Sequence, residues 1–213
     1  MNVQTANTYK LKVKDIITVV LLALINVVIF FAGSFLYVTP ITILLMPVAY
    51  ALVEGIIFFM IGAKVKKRGA ILIYCFVRGV LGSFLPYIIL YILAGLIAEL
   101  LLWKTGYGNA KGLTLSYIII QVLACIGSTI YPYAIIFESL MENAGADGRA
   151  ENVTQAAEVL QSWGSPVLLV SVVISAFLGA LIGRIIVKKH LMTDSVEQVQ
   201  YCLLYTSPSP RDA

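Results

Sequence analysis

Four charged side chains stand inside long apolar runs: Glu54, Arg78, Glu99 and Arg184. A charge at the bilayer centre costs about 2.5–3.5 kcal/mol on insertion scales, so each needs a partner or a task. Glu54 lies nine residues before Ala63, where one run ends, and Arg78 lies eight after Ala70, where the next begins. At a helical rise of 1.5 Å per residue both sit about 12–14 Å from the boundary the two runs share. That match predicts an ion pair or a common polar cluster, with stapling of adjacent helices favoured over direct substrate contact. Glu99, four residues before Trp103, and Arg184, four before Lys188, form a second match nearer the same boundary, where both could also reach the surface. Polar side chains gather near the other ends of the later runs: Tyr87, Tyr91, Ser128, Thr129, Tyr131, Tyr133 and, on a connecting loop, Trp163. An interfacial aromatic belt accounts for such tyrosines. A ligand pocket opening on that side is the sharper reading, and Pro132, breaking a run at that depth, supports it.

Residues for enzyme chemistry are missing from the sequence. A single histidine, His190, follows two lysines, and an interfacial role suits it best. There is no Ser/His/Asp set, no Walker A lysine and no Glu-Glu-x-x-x-Arg element of the abortive-infection type of intramembrane protease. Cys75, Cys125 and Cys202 have no spacing that suggests a metal site or a disulfide framework, and no cofactor is expected.

The elements that must carry these residues are membrane spans. The chain is 60% hydrophobic and 12% charged, far from the quarter or so of charged residues in a soluble domain. Its excess of cations falls between apolar runs rather than on one face, which argues against nucleic acid. About 20 apolar residues cross a bilayer as a helix, and by that measure six spans are expected: 16–37, 41–63, 70–84, 86–103, 113–137 and 166–187. Spans three and four share only the 34 residues from Ala70 to Trp103. Gly82-Ser83-Phe84-Leu85-Pro86 divides them, with Pro86 suited to a first helical turn, so a tight hairpin is expected. The fold class is therefore all-α, a multi-pass membrane helix bundle over residues 1–191.

Charge orients the bundle. Lys10, Lys12 and Lys14 precede span one, Lys64-Val65-Lys66-Lys67-Arg68 follows span two, Lys104 and Lys111 follow span four, and Lys188 and Lys189 follow span six. The intervening connections are Val38–Pro40 and Gly82–Pro86, both uncharged, and 138–165, which has five carboxylates against Arg149 alone. Retention of cations on the cytoplasmic side then places both termini inside, with no cleavable signal peptide expected. In the acidic loop a turn is expected at Gly145–Gly148, and Val153, Ala156, Ala157 and Leu160 recur at helical spacing, a short amphipathic helix that could serve as a lid or as a solvated connector. Ser175, Gly179 and Gly183 recur every fourth residue, the pattern that lets helices approach closely in lipid. Residues 192–213 are expected to be a disordered tail, and 202–212 reads as the translation of a sequencing adapter.

Lys10-Leu-Lys-Val-Lys-Asp-Ile16 entering span one, Lys64-Val-Lys-Lys-Arg-Gly69 after span two, the Gly/Pro hairpin, and Lys188-Lys189-His190 closing span six together resemble the Trep_Strep family of bacterial integral membrane proteins, over about residues 9–191. Members of that family are regarded as candidate substrate-binding S components of energy-coupling factor (ECF) transporters. The resemblance implies a protein of the bacterial cytoplasmic membrane that binds a vitamin-like micronutrient at its outer face, among the last three helices. It implies docking on a transmembrane T component driven by two ATPases, followed by toppling to release the substrate inside. S components dock through an Ala-x-x-x-Ala face on the first helix. The counterpart here is Ala23-x-x-x-Val27, which keeps only the first alanine. The alternative class is a structural or regulatory membrane protein, which would have a filled bundle with no cavity of ligand size, roughly 300 Å³ or more.

Overall fold

The computed structural model describes residues 10–34, 39–82, 85–138, 140–141 and 150–205, with side chains through 189, Ser34 excepted. Among these residues every regular element is a helix. They are α1 (Val13–Ser34), α2 (Pro40–Lys64), α3 (Ala70–Val80), α4 (Leu85–Thr105), α5 (Ala110–Cys125), α6 (Ala150–Val159) and α7 (Ser165–Tyr205). Two segments are wound as π-helix: Ile126–Ile135, which continues α5, and Leu160–Gly164, which joins α6 to α7. Local chemistry sets the starts. Thr39 caps α2 in a reciprocal pair with Thr42, and Pro40 takes the first turn, where its missing N–H costs nothing. Asn109 caps α5 by accepting from the Lys111 amide at 2.9 Å. Gly69 (φ 87°) and Gly106 (φ 93°) make the turns at the basic end, in a left-handed conformation that glycine alone adopts freely.

Five helices are long and apolar enough to cross a membrane, those starting at Val13, Pro40, Leu85, Ala110 and Ala150. The expected hairpin of spans three and four is present, but α3 has only 11 residues. At 1.5 Å per residue that is about 17 Å, little more than half of the roughly 30 Å hydrocarbon core. The register of the hairpin is antiparallel. Ile71 lies against Glu99, Cys75 against Gly95, Gly79 against Tyr91 and Gly82 against Tyr87. Gly82 lies only four residues beyond Arg78, whereas Pro40 lies fourteen beyond Glu54, so the tip stops short of the end reached by α2, and a recess forms there. The chain from Ala70 to Leu85 has too few residues to climb further, because the turn at Gly82 ends α3 early.

The basic loops share one end of the bundle. Lys67 pairs with Asp15 at 2.6 Å, and the Arg68 guanidinium lies 5.1 Å from the Trp103 ring centre. The connections at the opposite end include α6, whose Val153, Ala156 and Ala157, followed by Leu160, are buried against the bundle as the helical spacing predicts. Outward-facing side chains such as Leu21, Val28, Leu96, Val170 and Ile185 are apolar and exposed, which is what lipid requires and water would penalise.

One expectation is corrected here. Helix α7 runs on to Tyr205, where a disordered tail was expected from 192. The stretch Ser195-Val-Glu-Gln-Val-Gln200 is free of glycine and proline, and a helix already formed propagates through it at little cost. The rest of the adapter-like string, 206–213, lies outside the described residues, as do 35–38, 83–84 and the Gly145–Gly148 turn.

Candidate functional site

Glu54 and Arg78 meet in the middle of the bundle. Arg78 Nη2 donates to Glu54 Oε1 at 3.0 Å, and each side chain is only 2–3% exposed. They flank a single loop at nearly equal distance along the chain, which brings them to one depth, as the spacing predicts. The cluster is larger than a pair. Gln121 Nε2, on α5, donates to Glu54 Oε2 at 3.1 Å, so both carboxylate oxygens are held. The Arg78 guanidinium stacks over Phe30 of α1, its carbon 4.2 Å from the ring centre, and lies 5.9 Å from the rings of Tyr87 and Tyr91 on α4. Such a cation over an aromatic face is stabilising by about 0.5–2 kcal/mol, more as water is excluded. Arg78 therefore touches α1, α2 and α4 at once.

The guanidinium is not saturated. Arg78 Nε and Nη1, and the Tyr91 hydroxyl, are buried with no partner at hydrogen-bond geometry. Leaving a buried donor unmet costs about 1–3 kcal/mol, more for a charged group. A small space of about 20 Å³, room for one water, lies among Glu54, Arg78, Tyr91 and Gln121. Above it, Phe30, Tyr87 and Ser128 form a partition that also lines a second cavity of about 230 Å³. Gly82, Pro132, Tyr133 and Leu140 complete this outer cavity. Gly82 places it over the short hairpin. Ile136 N bonds Tyr131 O at 3.2 Å, five residues back, and this wide turn carries Pro132 into the wall. A recess with aromatic walls, and a charged group with spare donors behind the partition of Phe30, Tyr87 and Ser128, form a site that could hold a compact ligand by stacking.

The structure sorts the expected site residues. Tyr87, Ser128 and Tyr133 line the outer cavity, and Tyr91 lies deeper, beside Arg78. Thr129 is buried, 3.3 Å from Ser128 through their hydroxyls, and Tyr131 is half-buried; neither lines either space. Trp163 is 65% exposed and lines a separate groove of about 330 Å³ with Ile41, Leu45 and Val167. The pocket was expected among spans four to six; the recess lies among α1, the end of α3, α4 and the extension of α5, with α7 absent from its lining. Helix α7 packs chiefly on α2 and α5, on the far side of the bundle from the hairpin.

That arrangement also separates Glu99 from Arg184. Glu99 Oε1 accepts from the amides of Ile71 and Leu72 at 3.1 and 3.4 Å, and its Oε2 accepts from the Tyr107 hydroxyl at 2.8 Å. It caps α3 from a neighbouring helix, since Gly69 has no side chain to do so. The Tyr107 phenol, on the α4–α5 loop, is pushed up to about 12, first by burial and then by this carboxylate. Arg184 is exposed beside α2 and α5. Equal depth was the only ground for pairing the two, and depth does not specify which helices are neighbours. The docking face placed on Ala23 and Val27 is likewise corrected. Both are buried, on the side of α1 where Asn26 bonds the Tyr74 hydroxyl of α3 at 2.6 Å. Ser175, Gly179 and Gly183 do pack closely, against α2: Ser175 Oγ donates to Val48 O at 2.6 Å, and a Cβ on Gly183 would meet Gly55 O at 2.6 Å.

Phe30, Tyr50, Tyr74, Tyr117 and Gln121 were not singled out by the sequence reading. For two of them a signal existed. Tyr117, Gln121, Cys125 and Ser128 recur at three- and four-residue spacing, a polar stripe down an apolar helix that faces the cluster.

No curated protein and no solved structure matches the chain. Residues 13–192 match the model of a family described as a hypothetical bacterial integral membrane protein, Trep_Strep, and the chain belongs to that family.

Proposed function

We propose that this protein is the substrate-binding S component of an ECF-type importer in the bacterial cytoplasmic membrane, with its basic end and both termini in the cytoplasm. It has no catalytic role of its own, and transport draws on a T component and two ATPase subunits. The observation that carries this reading is the 230 Å³ recess above the hairpin, whose floor adjoins a buried arginine with unmet donors. The recess lies at the end away from the cations, which is the outer side if positive charge is retained inside. Its walls suit a vitamin-like micronutrient with a flat body, stacked by Tyr87, Tyr133 and Phe30, and with a carbonyl or carboxylate turned toward Arg78. The volume is below the 300 Å³ at which ligand pockets commonly begin. A compact ligand fits the recess as the walls stand, and contact with Arg78 requires the Phe30 and Tyr87 rings, which stand between, to swing aside.

A second reading has its own support. The inner space is only about 20 Å³, and the Glu54–Arg78–Gln121 cluster joins α2, α3 and α5. A purely structural bundle would look like this at its centre, and the recess would then be a surface irregularity. The two readings separate on purification from native membranes with the neighbouring subunits. An S component brings down a T component and ATPases, and mass spectrometry of the denatured sample finds a small molecule that Tyr133→Trp, which fills the recess, removes. A protein that folds and purifies with neither companion subunits nor a small molecule rules the transport reading out.

A further inference from the structure

A further cavity lies at the other end of the molecule. It measures about 570 Å³ and opens between α2, α5 and α7. Phe59, Leu113 and Leu181 form apolar walls, and Lys66, Arg184 and Lys188 border it. Among the described residues no carboxylate lines it. All three cations are exposed, and they stand where the apolar part of each helix gives way to the basic loops.

We infer that this groove binds an anionic phospholipid, its phosphate held by Lys66, Arg184 and Lys188 and its acyl chain laid along Phe59, Leu113 and Leu181. Several observations favour a lipid as the occupant. The groove is amphipathic in the same sense as a lipid: charge lies at the membrane boundary and apolar wall extends toward the membrane interior. Beside it, Ile182 and Ile185 are exposed on α7, a surface already facing acyl chains. The close approach of α7 to α2 at Gly55, Gly179 and Gly183 fixes the two walls at one spacing, so the groove is preformed. A cationic pocket between helices at a membrane boundary attracts anionic headgroups more strongly than a diffuse surface charge does, because an arginine can fork onto a phosphate. The inference does not depend on the substrate reading, since it concerns other residues at the opposite end.

The test uses the full chain in detergent and native mass spectrometry, titrating phosphatidylglycerol against phosphatidylcholine. The wild type is expected to bind phosphatidylglycerol at least about tenfold more tightly. A triple variant, Lys66→Gln with Arg184→Gln and Lys188→Gln, is expected to lose about a hundredfold in affinity for it, the weight of three lost cation contacts. A matched triple, Lys64→Gln with Lys104→Gln and Lys111→Gln, removes equal charge from the same end outside the groove and is expected to stay within about twofold of wild type. Leu181→Trp, which obstructs the groove without touching its charge, should also weaken binding. The inference is overturned if the wild type binds both lipids alike or if the two triples lose affinity equally. It is also overturned if the groove triple keeps its lipid and instead loses a co-purifying protein.

Discussion

Arg78 ties α3 to three other helices. It is ion-paired to α2, stacked on α1, close to two tyrosines of α4, and still has two nitrogens to offer. Removing one partner of a buried pair strands the other charge, at a cost of about 3–5 kcal/mol. Glu54→Ala and Arg78→Ala are therefore each expected to lose that much stability in reversible unfolding in detergent. The double variant Glu54→Leu with Arg78→Met should lose clearly less than the sum, because no orphaned charge remains. Additive losses would mean that the two side chains act separately. This pair was legible in the sequence because equal loop distance fixes equal depth when the helices are consecutive. Glu99 and Arg184 satisfied the same rule and failed, because α4 and α7 are not consecutive and pack on different sides of α5. Spacing along a chain measures height in a bilayer but not azimuth around a bundle.

At the scale of elements, the tightest junction is between α2 and α7. A Cβ on Gly179 would run into the carbonyls of Ala51 and Leu52, which are backbone and cannot rotate away. Gly179→Ala is thus expected to force the helices apart and cost about 1–3 kcal/mol. The same change at Gly106, where a Cβ would meet nothing within 4 Å, acts only through its φ of 93°, and costs about 1 kcal/mol. Comparing the two unfolding midpoints checks this, and a harmless Gly179→Ala would show that the contact yields. The small-residue stripe on α7 was readable from its four-residue period. Its complement on α2, Ala51 and Gly55, was not noticed among bulkier neighbours. The α1 face read as a docking surface looked equally small, but Asn26 beside it belongs indoors, and a polar amide in the middle of an apolar span marks the side that faces other helices.

For the whole molecule, the six-helix count and the segregation of cations to one end follow from composition and run length, and the structure places the basic loops together. If positive charge decides orientation, a reporter active only in the cytoplasm should work when fused after Lys104 and fail when fused after Glu138. The reverse pattern would invert the molecule and move the recess to the inner side. The recess was legible in part: Tyr87, Ser128, Tyr133 and Pro132 were read from the sequence as a pocket, and all four line it, but Phe30 and Leu140 were not. The turn at Gly82 was also readable, whereas the end of α3 at Val80, four residues before the expected end of span three, was not. The short helix has a further consequence for the wall of the bundle. Helix α3 rises about 17 Å, whereas its hairpin partner α4, with 21 residues, rises about 31 Å. Because the start of α3 lies against Glu99, α4 runs on toward the basic end with no α3 beside it. The loop that carries Lys67 and Arg68 covers that end through its contacts with Asp15 and Trp103, which makes the basic loop part of the packed wall rather than a free connector.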